Sequence, residues 1–177
     1  MKKHFETVPI VLAALAFVVA VFGANPTAVM AQEAKLTVRG SGLPVPRFVT
    51  LKFNEANMRT GPGSEYPVLW QYQRTGLPML VDAEFGVWRK VVDHEGTTGW
   101  MHGSVLSLRR MALIVNGTAR VHRDPDENSK VLAVAERGAL LELQSCPADW
   151  CKVASEDVRG WMPRSAIWGL RKGEALD

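Results

Sequence analysis

One ordered pattern occurs twice in this chain, so its fold must be one that a segment of about 60 residues can adopt two times in succession. Asn57-Met58-Arg59-Thr60-Gly61-Pro62 aligns with Arg120-Val121-His122-Arg123-Asp124-Pro125, and Pro67-Val68-Leu69 aligns with Lys130-Val131-Leu132. Val87-Trp88-Arg89-Lys90-Val91 then matches Asp149-Trp150-Cys151-Lys152-Val153, and Gly99-Trp100-Met101-His102-Gly103-Ser104 matches Gly160-Trp161-Met162-Pro163-Arg164-Ser165. The offset drifts from 63 to 62 to 61 residues, so the second copy carries two small loop deletions. Duplication is the simplest account.

Each copy consists of short apolar segments broken by Gly, Pro, Asp and Asn, the pattern of a small all-β barrel. In the first, Val49, Leu51 and Phe53 alternate with Thr50, Lys52 and Asn54 as in a half-buried strand. Thr60 to Ser64 reads as a long turn. Strands follow at Val68 to Tyr72, Met79 to Phe85, Trp88 to Asp93 and Gly99 to His102, and Gly103 to Leu106 reads as one helical turn. The expected organisation is a leader at 1–31, a linker at 32–47 containing Gly40, Gly42, Pro44 and Pro46, a first barrel at 48–108 and a second at 109–177. Two small barrels packed together would stabilise each other, since a short chain buries a smaller share of its surface.

The leader reads as a secretory signal peptide. Lys2 and Lys3 precede an apolar run from Val8 to Gly23, and Ala28-Val29-Met30-Ala31 offers a cleavage site. The run is shorter than the roughly 20 residues that span a bilayer, so stable membrane insertion after cleavage is not expected. A periplasmic or secreted location follows, reached through the general secretory route. The formal net charge of +3 is too mild for a polyanion footprint, which argues against nucleic acid as a partner. Arg109-Arg110, an adjacent basic pair, falls at the joint between the barrels.

Asn57-Met58-Arg59-Thr60-Gly61-Pro62-Gly63, Tyr66-Pro67-Val68-Leu69-Trp70, Gly76-Leu77-Pro78, Trp88-Arg89-Lys90 and Gly99-Trp100-Met101-His102 give the chain a family likeness. It resembles bacterial SH3 (SH3b-type) domain proteins of Gram-negative envelopes. The resemblance implies two tandem SH3-like barrels of five to six strands that bind peptides or cell-wall material as targeting or scaffolding modules. The second copy departs from the family's glycine-rich turn at Arg123-Asp124-Pro125-Asp126.

Cys146 and Cys151 should pair in an oxidising compartment and staple the turn before the Trp150 strand. Their spacing is not that of thiol oxidoreductases, and no cluster of ligands points to a metal or a cofactor. No catalytic residue is assigned: His94, His102 and His122 stand apart from one another as surface or half-buried side chains. Aromatic side chains are the better candidates. Strand parity sends Val91 and Val153 inward and Trp88 and Trp150 outward, and likewise sets Trp100 and Trp161 against Met101 and Met162. The expected ligand site is an aromatic groove of copy one built from Tyr66, Trp70, Tyr72, Trp88 and Trp100, with polar contacts from Arg59 and Glu65. The alternative is that the rings cap the open ends of the barrel, the reading that Trp100 and Trp161 favour because both copies have them. The function expected is a non-catalytic envelope module for a cell-wall peptide or an envelope protein. A pure interaction scaffold and an accessory of cell-wall hydrolysis are the alternatives.

Overall fold

The computed structural model describes residues 40–177, and the leader and the first half of the linker lie outside that range. The described chain is all β, two seven-stranded antiparallel sheets, each curled into an SH3-like barrel. Barrel 1 comprises β1 (Arg47–Leu51), β2 (Ala56–Arg59), β3 (Val68–Tyr72), β4 (Pro78–Phe85), β5 (Trp88–Val92), β6 (Thr98–His102) and β7 (Leu106–Ser107), in the order β3-β2-β6-β5-β4-β1-β7. Barrel 2 repeats this order with β8 (Met111–Ile114), β9 (Thr118–His122), β10 (Val131–Glu136), β11 (Leu140–Ser145), β12 (Trp150–Ala154), β13 (Arg159–Pro163) and β14 (Ile167–Trp168). A single 3-10 turn precedes the last strand of each, at Gly103–Val105 and Arg164–Ala166.

Seven strands replace the five or six expected. The additions are short: β2 is bounded by turn residues that mask its alternation, and β7 has only two residues. Parity sorts the two faces as anticipated. Val91, Met101, Val153 and Met162 are sealed in the cores, while Trp88, Trp100, Trp150 and Trp161 are half-buried outside them.

The first strand departs from simple alternation. Phe48 to Leu51 are all buried, and Phe53 lies beyond the strand and is exposed. The outward face of β1 is covered by barrel 2: Phe48 meets Trp168 edge to face at 5.1 Å, Arg110 stands over the Phe48 ring at 6.0 Å, and Thr50 Oγ1 donates to the Arg109 carbonyl at 3.1 Å. Thr50 can therefore be 2% exposed without an orphaned hydroxyl. The described end of the linker is also not free. Ser41 donates from its amide and hydroxyl to the Glu84 carboxylate, which Arg47 and Arg89 also grip.

Cys146 and Cys151 form a disulfide. Strand register shows what it replaces: Glu84 pairs with Arg89 across β4 and β5, and at the equivalent place across β11 and β12 stand Cys146 and Cys151. One barrel closes this corner with charge and the other covalently. Closing so short a loop stabilises by roughly 2 kcal/mol. Burial works against the Glu84 carboxylate, but the Arg47 guanidinium, Ser41 and Arg89 outweigh it and bring its pKa down to about 2.

A folded pKa below the ordinary 4.5 means that this stabilisation is complete above pH 4.5 and is lost as pH falls toward 2. Glu84→Gln should remove on the order of 3 kcal/mol near neutrality and flatten the acid limb of the stability curve. Urea unfolding followed from pH 6 to pH 2 checks this, with parallel curves for the two proteins as the contrary result.

Candidate functional site

The outer face of barrel 1 is assembled by strand pairing. Trp88 lies opposite His102, and Trp100 lies opposite Lys90 on one side and Arg59 on the other. The Trp88 and His102 rings meet edge to face at 5.4 Å. Beside them is a groove of about 330 Å³ lined by Glu55, Asn57, Arg59, Ser64, Trp88, His102 and Val105. The strands that carry it meet at a close approach on their core side. A Cβ on Gly99 would collide with the Met58 side chain and come within 2.9 Å of the Arg59 carbonyl, so only glycine lets β2 lie over β6 there.

The turn after β2 forms one bank. Arg59 Nη1 donates to the Tyr66 carbonyl at 2.7 Å, the Tyr66 ring covers Gly61, and the Glu65 carboxylate lies over Gly63. The other bank is the 3-10 turn. His102 Nδ1 accepts from the Ser104 amide at 3.2 Å and contacts the Ser104 hydroxyl at 2.6 Å. An amide can only donate, so the proton of the neutral His102 ring sits on Nε2.

Of the seven residues expected from sequence, Arg59 and Trp88 line this groove. Trp100 is half-buried next to it, in register with Arg59. Tyr66, at 40% exposure, and Trp70, at 59%, lie on the turn and on the edge strand β3, with Glu65 exposed between the same turn's residues. Tyr72 does not join them. It is a core residue, 7% exposed, whose hydroxyl donates to Asp93 Oδ2 at 2.7 Å. Burial, and then the Asp93 carboxylate, push the Tyr72 pKa well above that of free tyrosine, so its hydroxyl keeps the proton that it donates. Asp93 Oδ1 in turn accepts from the Glu95 and Thr97 amides and closes the β5–β6 turn.

Asn57, Ser64, His102 and Val105 were not expected at the site. The signal for them lay in the repeat. A second groove, about 550 Å³, is lined by Thr118, Arg120, His122, Glu127, Asn128, Pro163, Ser165 and Ala166, which align with Glu55, Asn57, Arg59, Ser64, Glu65, His102, Ser104 and Val105. Its histidine comes from the other bank. His122 stands at the position of Arg59, is 4% exposed rather than at the surface, and meets Trp150 edge to face at 5.3 Å. His122 Nδ1 lies 3.2 Å from the Ser129 carbonyl, which only accepts, so this nitrogen carries the proton and Nε2 of the neutral ring is an acceptor. Among the described residues no group of three or more His, Cys, Asp or Glu is placed to hold a metal ion, and no helix is long and apolar enough to cross a membrane.

Two small tandem barrels with matching grooves define a protein built from SH3-like modules. The family model described as bacterial SH3 domain matches residues 52–107 and 115–169, and the chain belongs to that family. No curated protein matches it. Among solved structures, it is similar to NlpC2 from Trichomonas vaginalis at 9% identity and a TM-score of 0.34, over 75% of this chain and 51% of that one. An NlpC/P60 family protein from Bacillus cereus is 17% identical with a TM-score of 0.31, over 68% of this chain and 55% of that one. The chain thus spans about half the length of these structures.

Tyr72→Phe separates core from groove. It strips a donor from the buried Asp93 and should cost about 1.5–3 kcal/mol in stability, while any ligand of the groove binds unchanged. Thermal unfolding and a binding titration on the same sample read the two quantities.

Proposed function

We propose that the protein is an exported, non-catalytic binding module of the bacterial cell envelope, and that barrel 1 holds a peptide or a peptidoglycan-type ligand in the groove between Trp88, His102 and Arg59. Membership of the bacterial SH3 domain family supports a binding role. The observation that carries the reading is the groove's composition: a flat indole backed by a histidine, with donors from Arg59, Asn57 and His102 Nε2 around it. Rings grip an extended chain at low entropic cost, and the surrounding donors meet its carbonyl and carboxylate oxygens. Tyr66 and Trp70 add exposed rings on the adjoining turn and on β3. The leader reading supports export, and the disulfide suits an oxidising compartment.

The purified protein should co-sediment with isolated sacculi. Trp88→Ala with His102→Ala should weaken the association at least about tenfold, a typical cost for truncated anchor residues, and Tyr66→Ala with Trp70→Ala should weaken it less. A protein that stays in the supernatant but crosslinks to one envelope protein would be a scaffold instead.

A further inference from the structure

The corner that barrel 2 closes with its disulfide also holds a strap made from the chain's own C-terminus. Cys146 and Leu176 exchange both backbone hydrogen bonds, at 2.6 and 3.3 Å. Leu170 and Leu176 pack on the core. Glu174 meets Arg110 at 2.7 Å, with the two side chains only 14% and 17% exposed. Arg164 fills the space beneath, donating to the carbonyls of Cys146, Ala148, Arg171 and Glu174. The strap therefore sets a carboxylate on the arginine that leads β8, and two residues later a leucine against the core.

Barrel 1 has the same corner. Arg47 aligns with Arg110, Glu84 and Arg89 with the two cysteines, and Leu106 with Ile167. Among the described residues the segment that crosses it, Gly40 to Pro46, brings polar contacts and no buried leucine. Gly103 stands where Arg164 does, and the guanidinium beside it is that of Arg89, whose Nη2 lies 3.5 Å from where a Gly103 Cβ would be. Ser41 touches this corner through polar contacts, and among the described residues no leucine from a flanking segment packs on the barrel 1 core. A cavity of about 170 Å³ opens there between Leu43, Val49, Leu106 and Leu108, with Arg47 and Arg89 in its wall. Leu43 is 41% exposed and Leu108 is 61% exposed. Charge is also left over, because Arg47 and Arg89, each 13% exposed, share the single Glu84 carboxylate. A surplus half-buried cation beside an apolar hole favours an anion with an aliphatic neighbour.

We propose that this corner of barrel 1, separate from the Trp88 groove, is a second binding site that takes an extended segment of a partner polypeptide carrying a carboxylate and, two residues on, an aliphatic side chain. The occupant of the equivalent corner supplies the template. The volume suits one branched side chain, being close to the roughly 150 Å³ apolar cavity that admits benzene. The segment that fills the equivalent corner is not free to serve here, because Glu174 and Leu176 are already engaged in barrel 2, and the occupant that we assign is a partner chain.

The probe is a synthetic peptide, Gly-Glu-Ala-Leu-Asp, with the sequence of residues 173–177, titrated into the isotopically labelled full-length protein. Saturable shifts of the Leu43, Val49, Leu106 and Leu108 methyl resonances are expected. Replacing the peptide's leucine by alanine, or its glutamate by glutamine, should weaken binding at least about tenfold. Leu108→Asp, at an exposed position that the fold tolerates, should do the same while leaving sacculus association intact. Three results would overturn the proposal. One is no shift at those methyls. Another is a set of shifts at Ile167 and Leu170, which would mean that the peptide displaces the strap. The third is concentration-dependent dimerisation without peptide that moves the Leu43 and Leu108 signals, which would give the site to a second copy.

Discussion

Each barrel depends on one place where two strands come too close for a side chain. Gly99 under Met58, and Gly160 under Val121 and the His122 carbonyl, let the second strand of each copy cross the sixth. That crossing closes the sheet and brings the residue at the end of the second strand beside the outward tryptophan of the sixth. Arg59 and Trp100 are neighbours for this reason, as are His122 and Trp161. The grooves are consequences of core packing: the small residue is a steric requirement, and the polar bank follows from it.

A second constraint joins the barrels. The outward side of β1 would be an ordinary solvated face in a lone barrel, and its Phe48 and Thr50 would be hard to explain. Barrel 2 covers both, with an indole and a guanidinium for the ring and a carbonyl for the hydroxyl. Ring pairs of this kind contribute about 0.5–1.5 kcal/mol beyond the area that they bury. Two modules too small to hide their apolar surface alone hide part of it against each other.

Much of the fold was legible in the sequence because strand parity is a local rule. Once Val91 and Met101 are assigned inward, the positions of Trp88 and Trp100 follow without any knowledge of tertiary structure. Parity failed where a second body covered the outer face, as at Phe48 and Thr50, since no local pattern records a neighbour that is distant in sequence. Tyr72 joins the expected groove only as an aromatic residue close in sequence to Tyr66 and Trp70, whereas in the fold it pairs with the buried Ala56. Its hydroxyl instead finds Asp93, a partner 21 residues away. The groove residues Asn57, Ser64 and His102 are ordinary polar side chains whose meaning is set by the turn and the 3-10 segment that bring them together. The matching of Glu84 and Arg89 with the two cysteines likewise needed strand register, because the loop deletion blurs the alignment nearby.

The two histidines carry a consequence for how the copies have diverged. In barrel 1 a ring at the 3-10 turn offers a hydrogen from Nε2, and in barrel 2 a ring at the end of the second strand, at the place of Arg59, has its lone pair on Nε2. A carbonyl oxygen that suits the first would meet electron density at the second, and an amine or hydroxyl would find the reverse. Duplication has in this way left a histidine on opposite banks of the two copies, with opposite hydrogen-bonding polarity at Nε2, so the second groove is not a replica of the first.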